Sequence, residues 1–287
     1  MTRRTAGYFA AACLGLFLAG AYVCPARAAE APAVRVVDLT YEVYLGGLHI
    51  FDFDAAVTLR ANSYSVAVAG GTRGMLGWIY KWDLKLAAEG ADDAGRIRPR
   101  SYVSMTDWQG KPRTMRLAFG AAGAYDVTRD PPEESDPQED EGELPASLPG
   151  DVVDPLSFAV AASRAVAANG RCAQTLPLFD GKRRYDLIVS DLGTDALPAN
   201  RYSIYQGPAM RCGFAMERIS GFSKVRRNTR QSDEASAAPP TVWLASIRDG
   251  LPPLPVRYEG TIALGDMVIH LTKAELRSEV AEVPARP

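Results

Sequence analysis

Val37-Asp38-Leu39-Thr40-Tyr41-Glu42-Val43-Tyr44-Leu45-Gly46-Gly47 is the stretch whose pattern decides the fold. Successive side chains of a strand point to opposite sides, so Val37, Leu39, Tyr41, Val43 and Leu45 share one face. Asp38, Thr40, Glu42 and Tyr44 share the other. After the Gly-Gly turn the alternation repeats. Phe51, Phe53, Ala55, Val57 and Leu59 stand against Asp52, Asp54, Ala56, Thr58 and Arg60. Two period-two runs about such a turn predict an antiparallel hairpin with one face on a core and the other wet.

The same signal continues outward. Further strands are expected near residues 63–69, 76–88, 97–108, 112–119 and 122–128, and again near 184–191, 200–212, 213–222, 241–248, 254–264 and 267–274. Leu264-Gly265-Asp266-Met267 has the chemistry of a hairpin turn between the last two. One helix interrupts the series. Asp154 is a good N-cap, Pro155 suits the first helical position, and Asn169-Gly170 ends the segment. Leu156, Ala159, Val160, Ser163, Val166 and Ala167 form its apolar and small stripe at helical spacing.

Two stretches break the pattern. Residues 129–150 mix Pro131, Pro132, Pro137, Pro145 and Pro149 with seven acids between Glu133 and Glu143. Such a composition buries too little to fold and predicts a disordered insertion; its acids lack the regular spacing of a calcium loop. Arg226 to Pro240 reads as a second polar loop. A sheet of about a dozen strands does not stay flat and open. The expected fold is therefore mainly β: one long, strongly curved antiparallel sheet, a half-open barrel or β-spiral, with one packed α-helix.

The N-terminus reads as a secretory signal. Arg3 and Arg4 precede an apolar run from Tyr8 to Val23, and Ala26-Arg27-Ala28 follows as a small-residue cleavage site. The run is 16 residues long, shorter than the roughly 20 of a spanning helix. Cys24 suggests a lipoprotein, but the bulky Val23 before it does not suit that processing. The expected division is 1–28 signal peptide, 29–128 N-terminal half of the β domain, 129–150 insertion, 151–275 helix and C-terminal half, and 276–287 flexible tail. The expected destination of the processed protein is the periplasm of a Gram-negative bacterium, with no membrane span after cleavage.

Charge and cysteines narrow the function. The signal removes three of 32 basic residues and no acid, leaving 29 against 34 and a net charge of −5. A mildly acidic chain has no electrostatic case for nucleic acid. Cys13 and Cys24 leave with the signal, and Cys172 and Cys212 remain as a pair in an oxidising compartment. They lack CxxC spacing and histidine neighbours, so a structural disulfide is expected. It would close a loop of about 41 residues, worth about 4 kcal/mol on the chain-entropy model.

The densest local signal is Leu176-Pro177-Leu178-Phe179-Asp180-Gly181-Lys182-Arg183-Arg184-Tyr185-Asp186. Asp180-Gly181 is a tight turn opening a strand. Lys182, Arg183, Arg184 and Tyr185 then read either as a charge-paired hairpin or as a ligand site for an acidic group. Alternation puts Arg183 and Arg184 on opposite faces, so one of them is expected to point into the hollow of the sheet. Phe179-Asp180-Gly181 with Arg183-Arg184-Tyr185-Asp186, the flanking cysteines, Tyr41-to-Gly47 and Tyr205-Gln206-Gly207-Pro208-Ala209 together resemble an uncharacterised bacterial envelope family, domain of unknown function 3108. The resemblance covers most of residues 35–275. It implies a periplasmic, β-rich protein and carries no activity with it.

Catalytic patterns are sparse. His49 and His270 sit in no metal spacing, and neither HExxH nor GxSxG occurs. No catalytic residue, metal or cofactor is expected. The leading expectation is a non-catalytic protein that binds a lipid or other apolar or amphipathic envelope component, or supports envelope integrity. The alternatives are a glycan hydrolase using Asp52 and Asp54, which share a strand face, and a module that binds another envelope protein. Trp78, Trp82, Trp108 and Trp243 are candidates for lining a cavity or filling a core.

Overall fold

The Gly-Gly hairpin forms as the alternation requires. In the computed structural model, which describes residues 34–132, 145–222, 239–262 and 264–279, strands β1 (Val34–Leu45) and β2 (Leu48–Leu59) pair antiparallel. Leu45 stands opposite Leu48 and Leu39 opposite Ala55. Gly46 and Gly47 both take positive φ, +55° and +84°. That is the two-residue turn whose twist matches the flanking strands, and a side chain at either position would be strained.

The chain continues through β3 (Ser63–Thr72), α1 (Gly74–Ile79), β4 (Trp82–Asp93), β5 (Arg96–Trp108), β6 (Lys111–Phe119) and β7 (Tyr125–Asp130). Helix α2 (Pro155–Asn169) follows, then β8 (Gln174–Phe179), β9 (Arg184–Leu197), β10 (Gly207–Ser220), β11 (Thr241–Ala245), β12 (Leu254–Ile262) and β13 (Gly265–Glu279). The 13 strands among the described residues form one sheet in the order β7-β6-β5-β4-β3-β2-β1-β13-β12-β11-β10-β9-β8. The first and last strands pair at its centre, with Val43 opposite Ile269. Every other ladder joins strands adjacent in sequence, so two antiparallel arms wind outward from that seam.

The arms end in edges that share no backbone ladder but lie in contact. The rings of Tyr125 on β7 and Phe179 on β8 meet edge to face at 5.0 Å. Arg129 Nη2 donates to the carbonyl of Gly181 at 2.5 Å. The sheet is thus a curled, barrel-like shell that is not closed. Curling shields both edges from further strand pairing.

Helix α2 sits inside the curl. Val160 packs with Leu59, Tyr64 and Ile97 of one arm, and Val166 packs with Cys172, Val189, Cys212 and Leu244 of the other. Only an element in the hollow reaches both. Its start is fixed as the sequence predicts: Asp154 caps it, accepting from the amides of Leu156 (3.0 Å) and Ser157 (2.9 Å), with Pro155 in the first turn. Gly170, at φ +64°, ends it. Cys172 and Cys212 are bonded, with Cα atoms 6.0 Å apart. The bridge joins the segment after the helix to the middle of β10.

The structure corrects several expectations. The strand expected at 76–88 begins at Trp82, because Gly74, at φ +60°, turns the chain into the short helix α1. β8 lies where no strand is expected, and it contains Pro177, which lacks a donor. It is tolerated because β8 is an edge. On that edge Val153 bridges in parallel, donating to Pro177 O at 2.9 Å and accepting from Phe179 at 3.0 Å. The two strands expected at 200–212 and 213–222 are one, β10, preceded by a loop over residues 198–206. The strand expected from 122 starts at Tyr125, after a 3-10 turn over Ala121–Gly123.

The expected insertion at 129–150 is ordered at both ends. Residues 129–130 belong to β7, and Leu148 is buried with its amide donating to Gly123 O at 2.8 Å. Residues 133–144 lie outside the described residues. So do the expected signal 1–28, residues 226–238 of the second polar loop and the end of the expected tail (280–287). The tail's first residues, through Glu279, continue β13.

Candidate functional site: a cavity between helix and sheet

The concave face of the central strands and helix α2 do not fill the space between them. A cavity of about 290 Å³ remains. Leu39 and Tyr41 of β1, Phe53 and Val57 of β2 and Val66 and Val68 of β3 form its floor; Leu156, Ala159 and Val160 of α2 form its roof. Val242, Leu254, Pro255 and Ile269 close the far side. The origin of this wall is the alternation itself: the apolar faces of β1 and β2 point inward. The small Ala159 leaves room where a larger side chain would fill it.

The polar groups at the border are mostly engaged. Tyr41 donates to Pro255 O at 2.9 Å, and burial pushes its phenol well above the usual range. Ser163 donates to Pro253 O at 2.5 Å. Arg257 pairs with Glu259 and lies over the Trp243 ring, 5.6 Å from its centroid. Arg164 differs. Its Nη2 pairs with buried Asp92 at 2.7 Å, while its buried Nε finds no partner among the described residues.

Beside the cavity, the helix start is tied to the sheet. Tyr64 OH and Ser157 Oγ are 2.6 Å apart, and Ser157 Oγ also donates to Asp154 Oδ2. Asp154 is fully buried, and burial raises its pKa above the usual carboxylate value of 3.8.

The residues singled out in the sequence lie elsewhere. Asp180 holds the β8–β9 turn by accepting from the amides of Lys182 (2.9 Å) and Arg183 (2.6 Å). Arg183 is exposed and lies 5.7 Å from the centroid of the Phe222 ring. Arg184 is buried and pairs with Asp186 at 2.5 Å. Tyr185 packs on the helix side, and burial raises its pKa. None of Lys182, Arg183, Arg184 and Tyr185 lines the cavity. Tyr185 takes the helix side of its strand, Arg184 is buried on the other face opposite Phe179, and Arg183 belongs to the turn.

Asp52 and Asp54 lie on the outer face, away from the cavity, and have separate partners. Asp52 pairs with His49 and with Arg73 (2.9 Å), whereas Asp54 accepts from Thr40 at 2.7 Å. His270 is buried on the outer side among Tyr44, Tyr202 and Arg257; burial, then Arg257, lowers its pKa below 6.5. Among the described residues no group of three or more His, Cys, Asp or Glu is placed to hold a metal ion, and no helix is long and apolar enough to cross a membrane. Of the tryptophans, Trp243 is in the core and Trp78 is almost fully exposed; none lines the cavity. The sequence reading missed Arg164 and the cavity wall because neither carries a local motif.

Comparison with known proteins gives a family and no activity. A comparison with curated proteins finds no match. Among solved structures, a beta-barrel-like protein of domain of unknown function DUF1849 from Brucella abortus is similar, at 11% identity and a TM-score of 0.49, over 86% of this chain and 98% of that one. The model of the family described as protein of unknown function (DUF3108) matches residues 40–272, which take in the seam strands, α2, the basic turn and both bonded cysteines, and the chain belongs to that family.

Proposed function

We propose that this protein is a non-catalytic periplasmic binding protein that holds an apolar or amphipathic envelope component between α2 and the sheet. The observation that carries the reading is the cavity of about 290 Å³, whose walls are almost wholly aliphatic and aromatic. That size lies at the lower end of small-molecule sites and suits one acyl chain or a compact apolar molecule. The periplasmic destination rests on the basic start, apolar run and small-residue cleavage site at residues 3–28.

Native mass spectrometry of the protein recovered from its own cells tests this reading. A co-purifying apolar or amphipathic molecule is expected, and Ala159→Phe, which fills the cavity, should release it. Empty wild-type protein, or a ligand retained unchanged in Ala159→Phe, would reject the assignment.

A further inference from the structure

The end of the sheet that carries the Gly46-Gly47 turn is a continuous rim. Gly46 donates to Asp266 O (2.9 Å), joining the β1–β2 turn to the start of β13. Arg73 donates to Ile50 O (2.9 Å), and Gln109 donates to Lys81 O (2.9 Å). These bonds tie the β3–β4 connection to β2 on one side and to the β5–β6 turn on the other.

Large apolar side chains project from this rim into solvent. Trp78 is 93% exposed, Leu264 79%, Ile79 64% and Leu48 60%, with Tyr80 and Trp108 about half exposed. The rings of Tyr80 and Trp108 lie 6.2 Å apart. Exposed apolar groups clustered in this way mark an interaction surface. Here they sit at the tips of turns on strands that end together, a shape suited to entering a soft layer rather than matching a rigid face. Trp and Tyr, apolar rings with one polar atom, are the side chains favoured at the membrane–water boundary.

The charge around them complements lipid phosphates. The two turns that hold Trp78 and Trp108, residues 73–83 and 105–113, carry Arg73, Lys81, Lys111 and Arg113 against Asp83 and Asp107, a local net of +2; Asp52, paired with Arg73, and Asp266 lie on the neighbouring turns. The side chains of Arg73 and Lys81 are 59% and 67% exposed. Lys182 and Arg183 stand farther along the same end, since β9 leaves their turn beside the end of β10, with Arg184 opposite Ser220.

We propose that this rim docks on the surface of an anionic phospholipid bilayer. Trp78, Ile79 and Trp108 enter the headgroup layer, and Lys81, Lys111 and Arg183 meet phosphates. The proposal goes beyond the cavity reading and holds whatever the cavity contains.

Vesicle flotation of the protein as its cells produce it is the test. It should float with vesicles of phosphatidylethanolamine and phosphatidylglycerol, less with phosphatidylcholine alone, and its tryptophan emission should shift to the blue. Replacing Trp78 and Ile79 together with Ser should lower partitioning about tenfold or more. Lys81→Glu with Lys111→Glu should lower binding to the anionic vesicles about fivefold per position. All four sites are exposed, so melting temperatures should be unchanged. Ala159→Phe should float as the wild type does, which separates this proposal from the cavity assignment. Absence of flotation, or flotation indifferent to the Trp78 and Ile79 changes, would overturn it. A lipid-free dimer that those changes dissociate would also overturn it, assigning the patch to a second copy of the chain.

Discussion

Tyr125 and Phe179 meet edge to face at 5.0 Å and join two sheet edges that no backbone ladder connects. Phe179 is completely buried, packed with Leu117, Tyr102 and Leu148. Closure of the shell therefore rests on side-chain packing at this point, helped by Arg129. Phe179→Ala should cost about 3–5 kcal/mol through lost burial and the cavity left behind. Tyr125→Phe should cost only about 1 kcal/mol, for the hydrogen bond from its hydroxyl to Pro145 O. Urea denaturation should show the difference as a lowered midpoint. A loss below about 1 kcal/mol for Phe179→Ala would mean that the edges are held by something else.

Asp154 gives a pH signature. Burial raises its folded pKa above 3.8, so in the window above 3.8 the folded state keeps a proton that the unfolded state has released. Stability from this group is greatest below the unfolded pKa and falls as pH rises through the folded one. Asn is as good a cap as Asp and carries no charge. The stability of Asp154→Asn relative to wild type should accordingly rise as pH increases from about 4. A difference that is flat across this window, or that falls, would show that the carboxylate is not destabilised by burial.

The disulfide links the exit of α2 to the middle of β10, 40 residues on. Thiol labelling of the unreduced, denatured protein should find neither Cys172 nor Cys212 free. Changing both to Ser should lower stability by about 4 kcal/mol on the loop-entropy model, less if the unfolded chain is compact. Both thiols open to label would reject the bridge.

The alternation of β1 and β2 made the hairpin, the inward face and the curl legible, because burial on one side imposes a period of two. The α2 caps were legible for a similar reason: Asp154, Pro155 and Gly170 act within one turn of themselves. β8 was hidden because Pro177 is forbidden in a central strand and allowed at an edge, and edge position is a property of the whole sheet. The cavity was hidden for the same reason. Ala159, Leu39 and Val242 become neighbours only once the two arms have wound around the helix. The basic motif drew notice by its composition, yet its chemistry depends on which side of β9 each residue takes, and Tyr185 rather than an arginine took the inner side.

That assignment makes Arg183 and Arg184 separable. Arg184 is buried and paired with Asp186 at 2.5 Å; Arg184→Gln leaves that carboxylate without its charge partner. Asp186 keeps some access to water, so the cost should be about 1–3 kcal/mol rather than the larger penalty of a fully buried broken pair. Arg183 is exposed, and its contact with the Phe222 ring is worth about 0.5–1 kcal/mol. Arg183→Gln should therefore change stability by no more than that. Neither residue lines the cavity, so neither substitution should alter retention of a molecule held there. Equal and small losses of stability from the two changes would place both arginines in the same exposed, weakly coupled environment and remove the distinction between the buried strand position and the turn.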